Sequence, residues 1–230
     1  MPWLRRLPRW AWFGTGVLAF IAGLINAAGY LGFRHQSISN MTGNSSLLGI
    51  ALGDADGAAA AHWVFTLAAF VIGAMLSGII VQQSTLQLGR RYGVALMLES
   101  ALLFAAVPLL GASNAVGLYL ASMAVGLQNG LVSTYSGTLI RTTHVTGFFT
   151  DLGVYIGHRL RGLPVDALRV RVAILVVTTF ILGSAVGAAL FRSMRERTLL
   201  IPAVLTGVCG LGYGLYRQHA LSAAGGHDEP

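Results

Sequence analysis

Two asparagines, Asn26 and Asn129, each stand deep inside a long apolar run. An amide left without a hydrogen-bond partner in hydrocarbon costs several kcal/mol, so each must meet either another helix or a solute. Gln128 lies beside Asn129. Downstream of each asparagine comes a Thr-Gly element, Thr42-Gly43-Asn44 in one place and Thr146-Gly147 in the other, and each leads into a short apolar stretch. Thr or Asn ahead of a helix accepts a bond from one of its orphan N–H groups, and glycine lets a backbone or ligand approach closely. The positive end of such a helix favours an anionic or electron-rich group. These residues are therefore candidates to line a solute path.

Charged residues add a second kind of chemistry. Arg141 falls between Asn129 and Thr146 and would supply positive potential; Arg34, His35 and His144 lie nearby in sequence. Such side chains draw anions towards a vestibule or snorkel to headgroups. Asp151 falls in the second short apolar stretch and Glu99 in a long one. Ionisable groups at membrane depth mark proton or ion paths by default. Asp151 is the first candidate, either titrating or paired with Arg141, and its counterpart in the first half is Leu47.

Catalytic signatures are missing. No HExxH, Gly-x-Ser-x-Gly or Walker-type loop occurs, and the six histidines lack metal-ligand spacing. Neither catalytic residues, a metal nor a cofactor is expected. Asp54 and Asp56 read as an exposed turn, and the single Cys209 as a small core residue.

The elements that must hold these residues are membrane helices. Fifty-five per cent of the 230 residues are apolar, only 10% are charged, and mean hydropathy is +0.69, against roughly 25% charged in soluble domains. Long apolar segments run over about 11–32, 60–82, 93–112, 115–135, 170–191 and 198–216, each near the length that crosses about 30 Å of hydrocarbon. Two segments, about 40–52 and 144–157, are shorter and read as re-entrant or broken-helix pieces, whose irregular backbone must be buried in protein or line a cavity. A polar tail over 222–230 follows.

The chain also repeats itself. Residues 23–49, GLINAAGYLGFRHQSISNMTGNSSLLG, match 126–153, GLQNGLVSTYSGTLIRTTHVTGFFTDLG. Gly23, Leu24 and Asn26 fall on Gly126, Leu127 and Asn129, and Thr42 and Gly43 on Thr146 and Gly147. AFVIGAMLSG at 69–78 matches TFILGSAVGA at 179–188. Three spans per half is an odd number, so the halves must face opposite ways about an axis in the membrane plane. The expected fold is all-α: one integral domain of about six transmembrane helices in two inverted three-helix repeats, about 11–112 and 115–216, each with one short segment. Eight full crossings is the competing count. Gly183 and Gly187 in the fifth span, and Ala74 and Gly78 in the second, allow close helix approach, with spans two and five expected to cross near the axis.

All fifteen basic residues are Arg, giving a net charge of +7. They cluster at the ends of apolar runs, which suits lipid headgroups rather than nucleic acid. With the N-terminus inside, eleven Arg face inward and four outward, which puts both termini in the cytoplasm.

The elements NMTGNSSLLG and GLQNGLVSTYSGTLIRTTHVTGFFTDLG resemble the YoaK family of bacterial membrane proteins, a domain of unknown function numbered 1275 (DUF1275). Asn40, Thr42, Gly43 and Asn44 match its first motif. Gln128, Asn129, Thr142, Thr143, Thr146, Gly147, Asp151, Leu152 and Gly153 match its second, and the resemblance runs from about residue 14 to 217. His144, Phe148 and Phe149 depart from the pattern. The resemblance implies a multi-span protein of the bacterial inner membrane and names no substrate.

The residues support a small-solute transporter or channel whose site lies between the repeats, with the lipid bilayer and a small solute, anionic by the helix ends, as partners, and a homo-oligomer allowed. A non-transporting scaffold or lipid-binding protein is the alternative, and an intramembrane enzyme a third.

Overall fold

A computed structural model describes residues 9–32, 36–81, 91–136 and 141–225. Eight α-helices account for most of them: α1 Arg9–Leu31, α2 Met41–Gly53, α3 Gly57–Ile80, α4 Arg91–Gly111, α5 Ala115–Ser136, α6 Val145–Leu160, α7 Ala167–Met194 and α8 Leu200–Gly225. A 3-10 turn over Arg195–Leu199 separates α7 from α8, and Arg195 there takes a left-handed φ of 52° as the chain reverses. Arg34 and His35, the N-terminal Arg5 and Arg6, and Arg90 lie outside the described residues.

Five segments are long and apolar enough to cross a membrane: Trp10–Leu31, Gly57–Ile80, Arg91–Gly111, Ala115–Thr134 and Ala167–Leu215, the last running through both α7 and α8. Large apolar side chains on their outer faces, among them Phe65, Val71, Ile79, Leu182 and Val208, are half or more exposed. Lipid is the solvent that accepts such surfaces, and the protein is a helical membrane protein on that ground. The last helix extends to Gly225, so the first residues of the expected tail are helical.

Helix pairing is dictated by small residues. α1 packs chiefly on α7, α3 on α5, and α4 on α8 and α5. In the first two pairs, glycine faces sit directly against the partner's backbone. A Cβ on Gly23 would overlap the carbonyl oxygen of Phe180, and one on Gly183 would overlap that of Phe20. The same happens between α3 and α5: Gly126 abuts the carbonyl of Phe70, and Gly73 that of Met123. Ser184 Oγ adds a bond of 3.1 Å to the Gly23 carbonyl. Without lipid-driven hydrophobic attraction between helices, such close van der Waals contact is what holds them together.

Two expectations change here. The packing face of α3 runs through Gly73 and Ser77, both buried, with the Ala74 backbone against Gly130 as expected, while Gly78 faces away: a Cβ there would meet nothing within 4 Å. One position of register moves a residue by about 100° around a helix, enough to turn a contact face outward. Nor do α3 and α7 pack extensively on each other. Each packs on the opening helix of the opposite half, because the glycine notches of α1 and α5 provide the matching faces.

Successive contacts fix the helix directions. Gly16 meets Leu175 and Thr179, Gly23 meets Phe180, and Gly32 meets Phe191, so α1 and α7 run parallel. α3 and α5 do likewise, Gly73 meeting Met123 and Gly130 meeting Ala74 and Ser77. α4 runs antiparallel to α8, with Gly93 against Gly210 and Ser100 Oγ bonded to the Ala203 carbonyl at 2.6 Å.

The two short segments are the helices α2 and α6. Before each, the chain folds back along the helix it has just left. Gly29 makes room for this, since a Cβ there would strike the Gln36 carbonyl and the Ile38 side chain. α2 then returns in a hairpin with α3, packed through Leu48, Ala51, Ala60 and Trp63. α6 returns against α7 through Phe148, Val172 and Val176.

Gly73→Val and Gly183→Val should each destabilise the protein by about 1–3 kcal/mol through overpacking against backbone, while Gly78→Val leaves it unchanged. Thermal unfolding in detergent, followed by circular dichroism, checks this; equal losses in all three variants would refute the assigned packing faces.

Candidate functional site

The two asparagines find their partners in the fold-back segments. Asn26 Oδ1 accepts bonds from Ser37 Oγ at 2.6 Å, Ser39 Oγ at 2.9 Å and the Ser39 N–H at 3.3 Å. Asn129 Oδ1 accepts from Thr143 Oγ1 at 3.0 Å, and its Nδ2 donates to the Val125 carbonyl at 3.0 Å. Repeat-equivalent amides thus tie equivalent hydroxyl-bearing segments to α1 and α5. Ser39 aligns with Thr143 when Thr42 is set on Thr146.

The helix starts differ from expectation. The N-cap of α2 is Asn40, whose side chain accepts from the Gly43 N–H at 3.1 Å; Thr42 is exposed. His144 is the N-cap of α6 and makes no side-chain cap bond, and Thr146 is exposed. Gly43 and Gly147 serve these caps, since a Cβ on either would crowd Asn40 or His144. Asn44 is buried and donates from Nδ2 to the Ser37 carbonyl at 3.1 Å, locking the first fold-back.

The second half carries a longer buried chain. Thr142 Oγ1 donates to Gln128 Oε1 at 3.1 Å, and Gln128 Nε2 donates to Glu99 Oε1 at 3.0 Å. Thr142, Gln128 and Glu99 are each 0% exposed. Gln128 therefore links the segment before α6 to α4 through α5. The other carboxyl oxygen, Glu99 Oε2, is buried with no hydrogen-bond partner among the described residues, and no ion pair reaches Glu99 there. The described ion pair is the exposed Arg169–Asp166 contact at 3.6 Å.

This arrangement reverses the order of the two acids. Asp151 lies exposed on α6, as does Arg141 just before it, and no ion pair joins them. A 16-residue helix packed on α7 along one stripe turns its other positions outward, and Asp151 falls on one of them. Glu99 is the acid inside the bundle.

Some members of the site are not singled out by the sequence. His62 on α3 is buried, with Nδ1 at 2.9 Å from Tyr119 Oη and Nε2 at 2.7 Å from Gln36 Oε1. Ser122 Oγ donates to the Ile38 carbonyl at 3.4 Å. A signal for part of this existed: Ser37, Ser39, Thr142 and Thr143 are hydroxyls just ahead of the aligned Thr-Gly elements. Nothing local marks His62, whose partners lie 26 and 57 residues away. Among the described residues no group of three His, Cys, Asp or Glu could hold a metal.

Removing Gln128 orphans Glu99, whereas removing both leaves no buried carboxyl behind; Thr142 Oγ1 keeps Asn129 Oδ1, at 3.4 Å, as an acceptor in either case. Gln128→Leu should lose about 1–3 kcal/mol, and Glu99→Leu combined with Gln128→Leu should lose less than the sum of the single changes. A double-mutant cycle by thermal unfolding reads the coupling; strict additivity would show that the bond contributes nothing.

A family model described as a protein of unknown function, DUF1275, matches residues 15–212, and the chain belongs to that family. No curated protein and no solved structure matches it.

Proposed function

We propose that this member of the DUF1275 family is a small-solute transporter or channel of the bacterial inner membrane, not an enzyme, with both termini cytoplasmic. Its site lies between two inverted repeats of three spans, counting α7 and α8 separately. The single observation that carries the reading is the reciprocity of the packing. Helices α1 and α7 pair as α5 and α3 do, through equivalent residues, and each half folds a non-helical, hydroxyl-bearing segment back to an equivalent asparagine. Inverted repeats with broken helices between them characterise carriers whose solutes bind near the midplane. Helix directions support the count: α1 and α7 are parallel, as are α3 and α5, while α4 opposes α8, which is the alternation six spans require.

In this reading the starts of α2 and α6, at Asn40, Thr42, Gly43, Asn44 and at Thr146, Gly147, form the walls of the path from the two sides. Asn26 and Asn129 hold them, and Gln128 connects the path to Glu99. Arg141 and Asp151, being exposed, belong to the approach rather than the centre. Irregular backbone at membrane depth survives where it is buried in protein or lines a water-filled space, and the burial of Gln36, Ser37, Ile38, Ser39 and Thr142 supports this reading.

A specific observation favours the scaffold reading as the second choice: Asn26 Oδ1 already accepts three bonds from its own chain. The two readings separate in motion, since a transporter must open these contacts and a scaffold keeps them closed. In a Cys209→Ser background, Ser39→Cys and Thr143→Cys should both react with a membrane-impermeant maleimide, from opposite faces of oriented vesicles. Prior modification of one should suppress the other in a transporter, and leave it in a channel. If neither reacts while Leu160→Cys does, the scaffold reading holds and the transport reading fails.

A further inference from the structure

Between α1, α4, α5 and α8 lies a cavity of about 180 Å³. Its walls include Trp10, Gly14 and Thr15 of α1, Tyr92 of α4, and Cys209 and Tyr213 of α8. Three large aromatic residues thus stand around a space the size of about six waters, at roughly 30 Å³ each. Most of the lining is apolar, which suits an apolar body. Trp10 is 42% exposed at the beginning of α1, which marks the mouth.

The buried acid does not itself line this cavity but neighbours three of its walls in the helices. Leu96 and Tyr92 line the wall on α4, and Glu99 follows Leu96 by three positions on the same face. Leu131 and Val132 line it on α5, three and four positions after Gln128, the partner of Glu99. Glu99 also lies within electrostatic reach of Cys209 on the third wall. Glu99 thus stands about one helical turn along α4 from Leu96, with Oε2 lacking a hydrogen-bond partner among the described residues.

We propose that this is a binding site for a small lipophilic organic cation, an ammonium carrying an aromatic or aliphatic body. Its body fills the cavity among Trp10, Tyr92 and Tyr213, and its charge meets the open oxygen of Glu99. The inference rests on the solute-site reading above and names the class of solute. A buried carboxyl oxygen without a donor is a costly group that a cation satisfies, and aromatic rings attract ammonium ions most strongly where water is excluded. The helix starts at Asn40 and His144 favour the opposite charge, but they offer only about half an elementary charge each, and that of α2 is already capped. An ammonium bound beside this carboxyl favours its charged form, and that pairing sets the sign of the solute.

Calorimetric titration of the full-length protein in lipid nanodiscs tests this, with 2-phenylethylammonium as the cation and 2-phenylethanol as its neutral counterpart. The cation should bind saturably and at least tenfold more tightly than the alcohol. Glu99→Gln should bring the two affinities together. Gly14→Leu should abolish both, and it should fold, because a Cβ on Gly14 meets nothing within 4 Å. Equal affinity of cation and alcohol in the native protein would overturn the assignment, even if Glu99→Gln did not fold. So would cation binding that persists in Gly14→Leu. Two-sided cysteine reactivity is read separately: cation binding with closed cysteines refutes transport alone, and open cysteines without cation binding refute this site alone.

Discussion

Everything in the bundle is set by how closely two pairs of helices approach. Where Gly23 and Gly183 interlock, and again where Gly126 and Gly73 do, a helix carbonyl rests on the bare Cα of its neighbour. No side chain larger than hydrogen fits those four positions without moving backbone. The contact supplies dispersion energy that lipid, being as apolar as the helices, cannot supply by exclusion. It also fixes the axial register of each pair, since a carbonyl lodged against a glycine cannot slide by a turn.

Register then decides the polar interior. With α1 locked on α7 and α5 on α3, Asn26 and Asn129 lie within their helices, Asn129 buried and Asn26 partly so. The segments that follow must return to them, carrying Ser37 and Ser39 in one half and Thr142 and Thr143 in the other. Two hydroxyls per fold-back satisfy the amide that would otherwise be orphaned. The returning chain can then start a new helix facing the other way, capped by Asn40 in one case and begun at His144 in the other. The halves differ in what lies beyond. The first half spends its interior polarity on the His62–Gln36–Tyr119 contacts, in which both ring nitrogens have partners. The second extends through Gln128 to Glu99 and leaves one oxygen open. The packing of the two halves is thus alike while their polar interiors differ, and among the described residues Glu99 is the carboxyl left with an open oxygen.

Much of this was written in the chain. Apolar runs of membrane-spanning length give the long helices, because backbone groups in lipid have no alternative to internal hydrogen bonding. The matched Gly-Leu-x-Asn and Thr-Gly elements mark corresponding stretches of the two halves, and the position of Asn26 and Asn129 within apolar runs marked them as groups in need of partners. Only the tertiary structure could say which face of α3 meets α5, since Gly73 and Ala74 are adjacent in sequence and differ by a rotation that periodicity in an all-apolar helix does not reveal. The same holds for the acids. Asp151 and Glu99 look alike as charges in apolar stretches, yet a helix covered on one stripe exposes the first, and a helix packed against both α5 and α8 buries the second. The bonds of His62 to Gln36 and Tyr119, and of Glu99 to Gln128, join residues 26 to 57 positions apart. Local sequence records which side chains will need a partner, because that need follows from their own chemistry and the apolarity around them. Which partner each one meets depends on helix rotation and depth, and those are fixed only when the glycine faces close.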